Sequence, residues 1–372
     1  MSPAPPSTSG QPHGIVRLPA GVAPEVLVAV PLGLDPAPAV RRVTDARGTS
    51  VVVHHRPDLL PPQRFVADHK GDPGWRRSPE QEREWQSLLS RAQLLLGLPG
   101  DSGQGLRDAL AGGAPVVWAQ ATAAGAGEQL TRAGLDAAAL GPVVVTSAAG
   151  LHAEQLAEFA LAGILHVAKD VERLQAQKQR REWPARWPMR SLAGSRLLVV
   201  GLGGIGRAVA ARGAAFGMHV TGVARRPRPA PGVERTEPLE RLPDLVADAD
   251  AVVLTLPGTE QTRGLFDADL LGRMRSDAVL VNVGRGSVVD GDALARVLHA
   301  GHLAGAVLDV TDPEPLPDTS ALWGAPRLLL SPHTAALSTA EDDRIVAFFA
   351  ENLGRALDGE PLRNVVDPVA GY

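Results

Sequence analysis

Between residues 195 and 332 the chain alternates short apolar runs with longer stretches of mixed character. The runs are RLLVVGL (196–202), MHVTGV (218–223), AVVLTL (251–256), AVLVNV (278–283), AGAVLDV (304–310) and RLLLS (327–331). Near-continuous apolar runs suit strands buried on both faces of a parallel sheet. The stretches between them, beginning with GGIGRAVAARGAAF, read as helices, and this repetition predicts a doubly wound α/β domain. A weaker version of the theme comes first: EVLVAV (25–30), TSVVVHH (49–55), AQLLLGL (92–98), PVVWAQ (115–120) and PVVVTS (142–147) predict a second, smaller α/β unit. Residues 56–87, rich in Pro, charge and Trp, show neither pattern.

Two helices stand apart. One is predicted over residues 152–179, too long for a simple crossover and suited to an arm between domains or subunits. The other is predicted from Ser338, which has capping-box spacing to Glu341, to near Gly359. It follows the final strand of the larger domain and would return to the smaller one. The expected fold is therefore two Rossmann-like, doubly wound parallel sheets with a cleft between them. Residues 1–22 would be a Pro-rich disordered tail, 23–147 with 338–372 the substrate domain, and 148–337 the dinucleotide-binding domain.

Composition narrows the function. At 372 residues two domains are expected, and 44% hydrophobic content with only 3% aromatic predicts aliphatic cores. The net charge is −4 without a long basic block, which argues against a nucleic-acid partner. There is no cysteine, so disulfides, thiolate catalysis and Cys-type zinc sites are excluded. No cluster has metal-ligand spacing, and none is expected. The N-terminus lacks the apolar core of a secretory signal, and no apolar run reaches bilayer length, so no membrane partner and a cytoplasmic location are expected.

The run VVGLGGIGRAV places Gly201, Gly203 and Gly206 in the pattern G-x-G-x-x-G directly after a strand and opening a helix. Gly201 permits the tight turn, Gly203 lets backbone approach a pyrophosphate, and Gly206 lets helix pack on strand. The amides at Gly204 and Ile205 would face the phosphate charge. After the next strand come Ala224, Arg225 and Arg226, with no carboxylate until Glu234. A carboxylate there would repel the 2′-phosphate of NADP, whereas guanidinium groups grip it, so NADP is preferred over NAD, which remains possible.

Three later segments carry candidate chemistry at strand ends: Arg285 in VNVGRGSVVD, Asp309 and Glu314 in LDVTDPEPLP, and His333 in LLLSPHTAA. Taken singly each is more readily structural; their shared position at one sheet edge joins them. Reducing a 2-oxo acid requires a polarised carbonyl, a proton for the developing alkoxide and a grip on the carboxylate. Arg285 suits the first and part of the third. His333 suits the second, and Glu314 would fix its ring and favour the protonated imidazole.

The run from about 195 to 338 resembles the D-isomer-specific 2-hydroxyacid dehydrogenases, on GLGGIGRAV, LTLPGTEQTRGLFD, VNVGRGSVVDGDAL, GAVLDVTDPEPLP and SPHTAA. HAEQLAEFALAGIL and the closing NVVDPVAGY also look like family segments. Arg285, Glu314 and His333 stand 29 and then 19 positions apart, as the family's catalytic set does. The resemblance implies that Arg285 orients substrate, His333 is the acid/base and Glu314 its partner. It also implies that Asp309 holds the nicotinamide carboxamide and that Leu256 and Pro257 flank the adenosine, with Val283 a further cofactor contact. The loop WAQATAAGAG is similar to the one whose amides bind substrate carboxylate, through Ala124 and Gly125; Ala126 and Gly127 stand where the family usually has a valine and an acid. Arg225 and Arg226 are similar to NADP-preferring members acting on glyoxylate or hydroxypyruvate. A homodimer is implied. Closure of the cleft, with hinges near Thr146–Gly150 and Ser331–Ala335, would exclude water and align donor with acceptor. A different reading is a non-catalytic NAD(P)-sensing regulator of the same fold, which would need no acid/base.

His54 and His55 end a strand and read as a solvated turn before a pocket lining. Trp183 and Trp187 read as an apolar anchor for the arm before a reach into a neighbouring subunit.

Overall fold

The computed structural model describes residues 14–19 and 21–368. The chain divides into two compact units, one running to Leu151 and resuming at Leu337, the other spanning His152–Ala336.

The first unit holds a five-stranded parallel sheet. Its strands are β1 (Glu25–Val28), β2 (Val52–His54), β3 (Leu94–Leu96), β4 (Trp118–Gln120) and β5 (Val144–Thr146), in the order β2-β1-β3-β4-β5. Alternate residues feed two cores. Leu27, Leu95 and Ala119 pack with Trp85 and Leu88 on one face. Val26, Leu94 and Trp118 meet Ile345, Phe349 and Leu353 of the helix Glu341–Leu357 on the other. Trp118 and Phe349 stack with ring centres 4.7 Å apart; burying a side chain such as Phe349 contributes about 1.5–3 kcal/mol. The final helix is thus a layer of the first unit.

Three expectations change here, and the unassigned stretch gains a helix. The segment read as a tail over 1–22 is packed in part: Val16 is buried, and Gly14 O accepts a hydrogen bond from Leu362 N at 2.9 Å. Residues 1–13 and 20 lie outside the described residues, as do the last four of NVVDPVAGY. The final helix begins at Glu341 with Ala340 as its cap, and no capping box forms. Ser338 Oγ instead accepts from Arg344 Nη1 at 2.8 Å. In the unassigned stretch, Ser78 and Gln81 do form a capping box, opening the helix Pro79–Leu89. The predicted single helix over 152–179 is two, Ala153–Ala168 and Val171–Arg180, because Asp170 takes the left-handed conformation at φ 53°. Asp170 lies 3.6 Å from Arg327 and 3.9 Å from Arg173.

The second unit holds a seven-stranded parallel sheet. Its strands are β6 (Arg196–Val200), β7 (His219–Val223), β8 (Arg235–Glu237), β9 (Ala251–Leu254), β10 (Val279–Asn282), β11 (Gly305–Leu308) and β12 (Leu328–Leu330). Their order is β12-β11-β10-β9-β6-β7-β8. The chain enters at β6, steps out to β8, then crosses back to β9 on the far side of β6. Connections therefore diverge between β6 and β9, the place where open α/β sheets bind ligands at their carboxyl edge. β8 was not expected from sequence. No helix among the described residues is long and apolar enough to cross a membrane.

Candidate active site

At the end of β6 the chain turns sharply through Gly201, whose φ of +101° an L side chain rarely adopts. The helix Gly204–Ala215 then lies directly on the turn: a Cβ at Gly206 would fall 1.8 Å from Gly201 O. From β9, Thr255 Oγ1 reaches across the divergence point to donate to Gly201 O at 2.7 Å. Gly203 faces the other way, with nothing within 4 Å of where its Cβ would be. Gly203 and Gly204 are exposed and Ile205 half-buried. The first turn of the helix has neither a side-chain cap nor an acidic residue. Unsatisfied amides at a helix N-terminus, beside open space, fit a pyrophosphate.

Arg225 and Arg226 follow β7 and are exposed. Leu256, half-buried, and Pro257, exposed, follow β9. Val283 follows β10, is buried, and donates its N–H to Leu254 O at 3.1 Å. These positions all lie at the carboxyl edge of the seven-stranded sheet.

The same edge gathers the candidate catalytic groups. His333 Nδ1 lies 2.9 Å from Glu314 Oε2, with both side chains partly exposed. Glu314 is in turn held through Oε1, which accepts from Thr311 N at 3.0 Å. Gly286 lets the loop after β10 press against the loop after β11, since a Cβ there would lie 1.9 Å from Thr311 O. Arg285 is the residue just before it, half-buried, with Nη1 donating to Gly284 O at 2.8 Å. Asn282, fully buried at the end of β10, shapes that turn by accepting from Gly284 N and donating to Arg285 O.

Asp309 organises the His333 loop. It is 1% exposed, and its Oδ1 accepts from Ser331 Oγ at 2.6 Å, Thr334 N at 3.1 Å and Ala335 N at 3.0 Å. Its backbone O accepts from His333 N at 2.9 Å. His333 itself sits at φ +55°, so its backbone is held in a conformation that this set of bonds over-determines. The other carboxylate oxygen, Oδ2, is buried with no hydrogen-bond partner. An orphaned buried acceptor fits an amide N–H arriving from a ligand, such as a carboxamide. The supporting parts played by Asn282, Thr255 and Ser331 were not read from the sequence. Their only sequence signal was proximity to the strand ends.

Ala124 and Gly125 belong to the first unit, in the loop between β4 and the helix Ala126–Arg132. Ala126 and Gly127 are buried, so small residues there answer to packing. Two contacts fasten this loop: Thr122 Oγ1 donates to Asp101 Oδ1 at 2.7 Å, and Ala148 N donates to Ala123 O at 3.2 Å. Burial raises the Asp101 carboxyl above its ordinary range.

The remaining candidates have local partners. His54 Nε2 is 2.7 Å from Glu25 Oε2, and His55 Nδ1 is 3.7 Å from Asp35. Trp187 is an anchor, with Arg173 3.9 Å from its ring centre, whereas Trp183 is fully exposed and anchors nothing described. A cavity of about 430 Å³ beside Arg327 and His166 lies before β12, away from the carboxyl edge.

The chain has relatives among known proteins. Residues 161–335 match the family model of the D-isomer specific 2-hydroxyacid dehydrogenase NAD binding domain. The chain is 36% identical over 234 residues to a glyoxylate reductase of Korarchaeum cryptofilum, covering 60% of this chain and 69% of that one. It is 36% identical over 227 residues to an (S)-sulfolactate dehydrogenase of Chromohalobacter salexigens, covering 60% and 73%. Among solved structures, a D-isomer specific 2-hydroxyacid dehydrogenase from Xanthobacter autotrophicus Py2, in complex with NADPH and MES, is similar with a TM-score of 0.70 and 30% identity. That match covers 94% of this chain and 99% of the other.

Proposed function

Because the chain belongs to the D-isomer specific 2-hydroxyacid dehydrogenases, NAD(P)-dependent oxidoreductases of small 2-hydroxy and 2-oxo acids, we propose that it reduces a 2-oxo acid of the glyoxylate or hydroxypyruvate kind, with NADPH preferred. The observation that carries this reading is the 2.9 Å contact between His333 and Glu314 at the carboxyl edge of the sheet that also bears the Gly-rich turn.

The amides following Gly203 hold the pyrophosphate, Arg225 and Arg226 the 2′-phosphate, and Leu256 and Pro257 flank the adenosine. Val283 lines the same site, and Asp309 Oδ2 accepts from the carboxamide. The bound dinucleotide supplies a hydride. Arg285 polarises the substrate carbonyl and grips the substrate carboxylate. His333 Nε2 delivers the proton to the carbonyl oxygen as negative charge grows there, while Glu314 fixes the tautomer by accepting from Nδ1. The partial exposure of His333 lets water return the proton.

The test is loss of NADPH absorbance with glyoxylate or hydroxypyruvate. His333→Ala and Arg285→Ala should each cut turnover by about 10²–10⁴ while retaining NADPH binding. Wild-type rates in both variants would overturn the assignment. Tight NADPH binding with no turnover on any small 2-oxo acid would point to a dinucleotide sensor instead.

A further inference from the structure

The end of β7 lacks the acid that in NAD-binding domains accepts hydrogen bonds from the adenosine ribose; Ala224 follows Val223 there. The first acid along the chain, Glu234, is at the wrong end of the sheet. Its N–H donates to Val220 O, and its carboxylate lies 2.9 Å from His219 Nδ1 at the start of β7.

β8 changes this arithmetic. It runs parallel to β7 with Thr221 level with Arg235 and Val223 level with Glu237. Ala224 N donates to Glu237 O at 3.1 Å, so the pairing continues to the carboxyl edge itself. Three residues of extended chain separate the two acids by about 10 Å, which takes Glu237 from the amino side to the carboxyl edge. Arg235 Nε donates to Thr221 Oγ1 at 3.1 Å, showing that paired residues share a face, and Glu237 shares that face two residues on. Glu237 is half-buried. The Glu237 backbone therefore stands one strand spacing, about 4.8 Å, from Val223, the residue just before Ala224, so its side chain starts beside the place where an NAD-type acid would begin.

Resting on the reading of this edge as the dinucleotide site, we infer that Glu237 is a specificity-determining residue at the adenosine ribose. Its carboxylate accepts a hydrogen bond from the 2′-hydroxyl of NADH and repels the 2′-phosphate of NADPH, in opposition to Arg225 and Arg226. The two sets of charges together set the cofactor ratio, and the chain uses NADH as well as NADPH.

The experiment is fluorescence titration of the full chain with NADPH and with NADH at one fixed salt concentration. It compares wild type, Glu237→Gln, Glu237→Ala and Glu234→Gln. Glu237→Gln should tighten NADPH about fivefold and weaken NADH about fivefold, the scale of an exposed charge interaction. Glu237→Ala should move the ratio in the same direction. Glu234→Gln makes the same change in net charge at the amino end of the strand and should leave the ratio unmoved. NADPH binding in wild type, with a ratio that neither Glu237 variant shifts, overturns the inference and leaves the dinucleotide site intact. A ratio shifted equally by Glu234→Gln also overturns it, as an effect of net charge. Wild type that binds neither dinucleotide overturns the reading of the Gly-rich turn itself.

Discussion

The five-stranded and seven-stranded sheets are wound alike. Each begins in its interior, at β1 or β6, steps to one edge, and crosses back to β3 or β9 on the other side. Each therefore has one divergence point at its carboxyl edge. In the first unit the polar groups there are engaged from within. Gly33 N, after β1, donates to Asp342 Oδ2 at 2.7 Å, and Asp342 Oδ1 lies 2.8 Å from His69 Nε2. Asp101, after β3, takes the Thr122 hydroxyl. The helix after β1, Ala37–Asp45, has no side-chain cap, yet Asp35 Oδ1 accepts from Ala37 N at 3.0 Å. In the second unit the helix after β6 is uncapped with no acid in its first turn, and farther along the same edge, after β11, Asp309 Oδ2 is unpartnered. Equivalent winding thus supplies a place for a ligand in both sheets. The connecting residues decide whether resident carboxylates occupy it.

The sharpest way to break the contrast is at Gly206. Gly206→Ala drives a methyl into Gly201 O and should destabilise by about 3 kcal/mol or more, read from urea unfolding. Gly203→Ala, facing open space, should cost under about 1 kcal/mol yet weaken NADPH binding; equal destabilisation by the two variants would show that the turn is merely structural. Asp309→Ala strands a hydroxyl and two amides, so a loss of about 2–3 kcal/mol is expected, with His333 released and turnover reduced. Full turnover in that variant would remove Asp309 from the machinery.

The smallest effect concerns the resident anion of the first unit. Burial pushes the Asp342 carboxyl up, but the hydrogen bonds from His69 and Gly33 N outweigh this and hold it below its ordinary value. A carboxyl lowered in the folded state stabilises above its unfolded pKa, near 3.9, and that contribution fades as pH falls through the folded value. Asp342→Asn should therefore cost about 1–2 kcal/mol at neutral pH. The gap to wild type should shrink below about pH 4; a gap constant down to about pH 3 would sink the account.

Much of this was legible because buried parallel strands announce themselves as aliphatic runs, as RLLVV and AVVL do. β8 is RTE, short and polar at a sheet edge, where solvent removes the need for apolar residues, so neither it nor Glu237 stood out. Capping motifs were ambiguous for a related reason. Ser338 and Ser78 begin the same spacing, but only Ser78 is followed by Pro79 in the first turn, which fixes where that helix starts. The pairing of His333 with Glu314 followed from strand ends sharing an edge. The service of Asp309 to the His333 loop did not, because it depends on side-chain direction within a turn.

The helix Glu341–Leu357 supplies Phe349, Ile345 and Leu353 to a core whose other half is encoded more than two hundred residues earlier. During synthesis, Trp118 and the strand around it emerge from the ribosome long before the surface that covers them. The second unit, encoded between these parts, can close first, which inverts the usual N-terminal-first order of maturation. Until that helix emerges, the nascent first unit presents an uncovered aliphatic face.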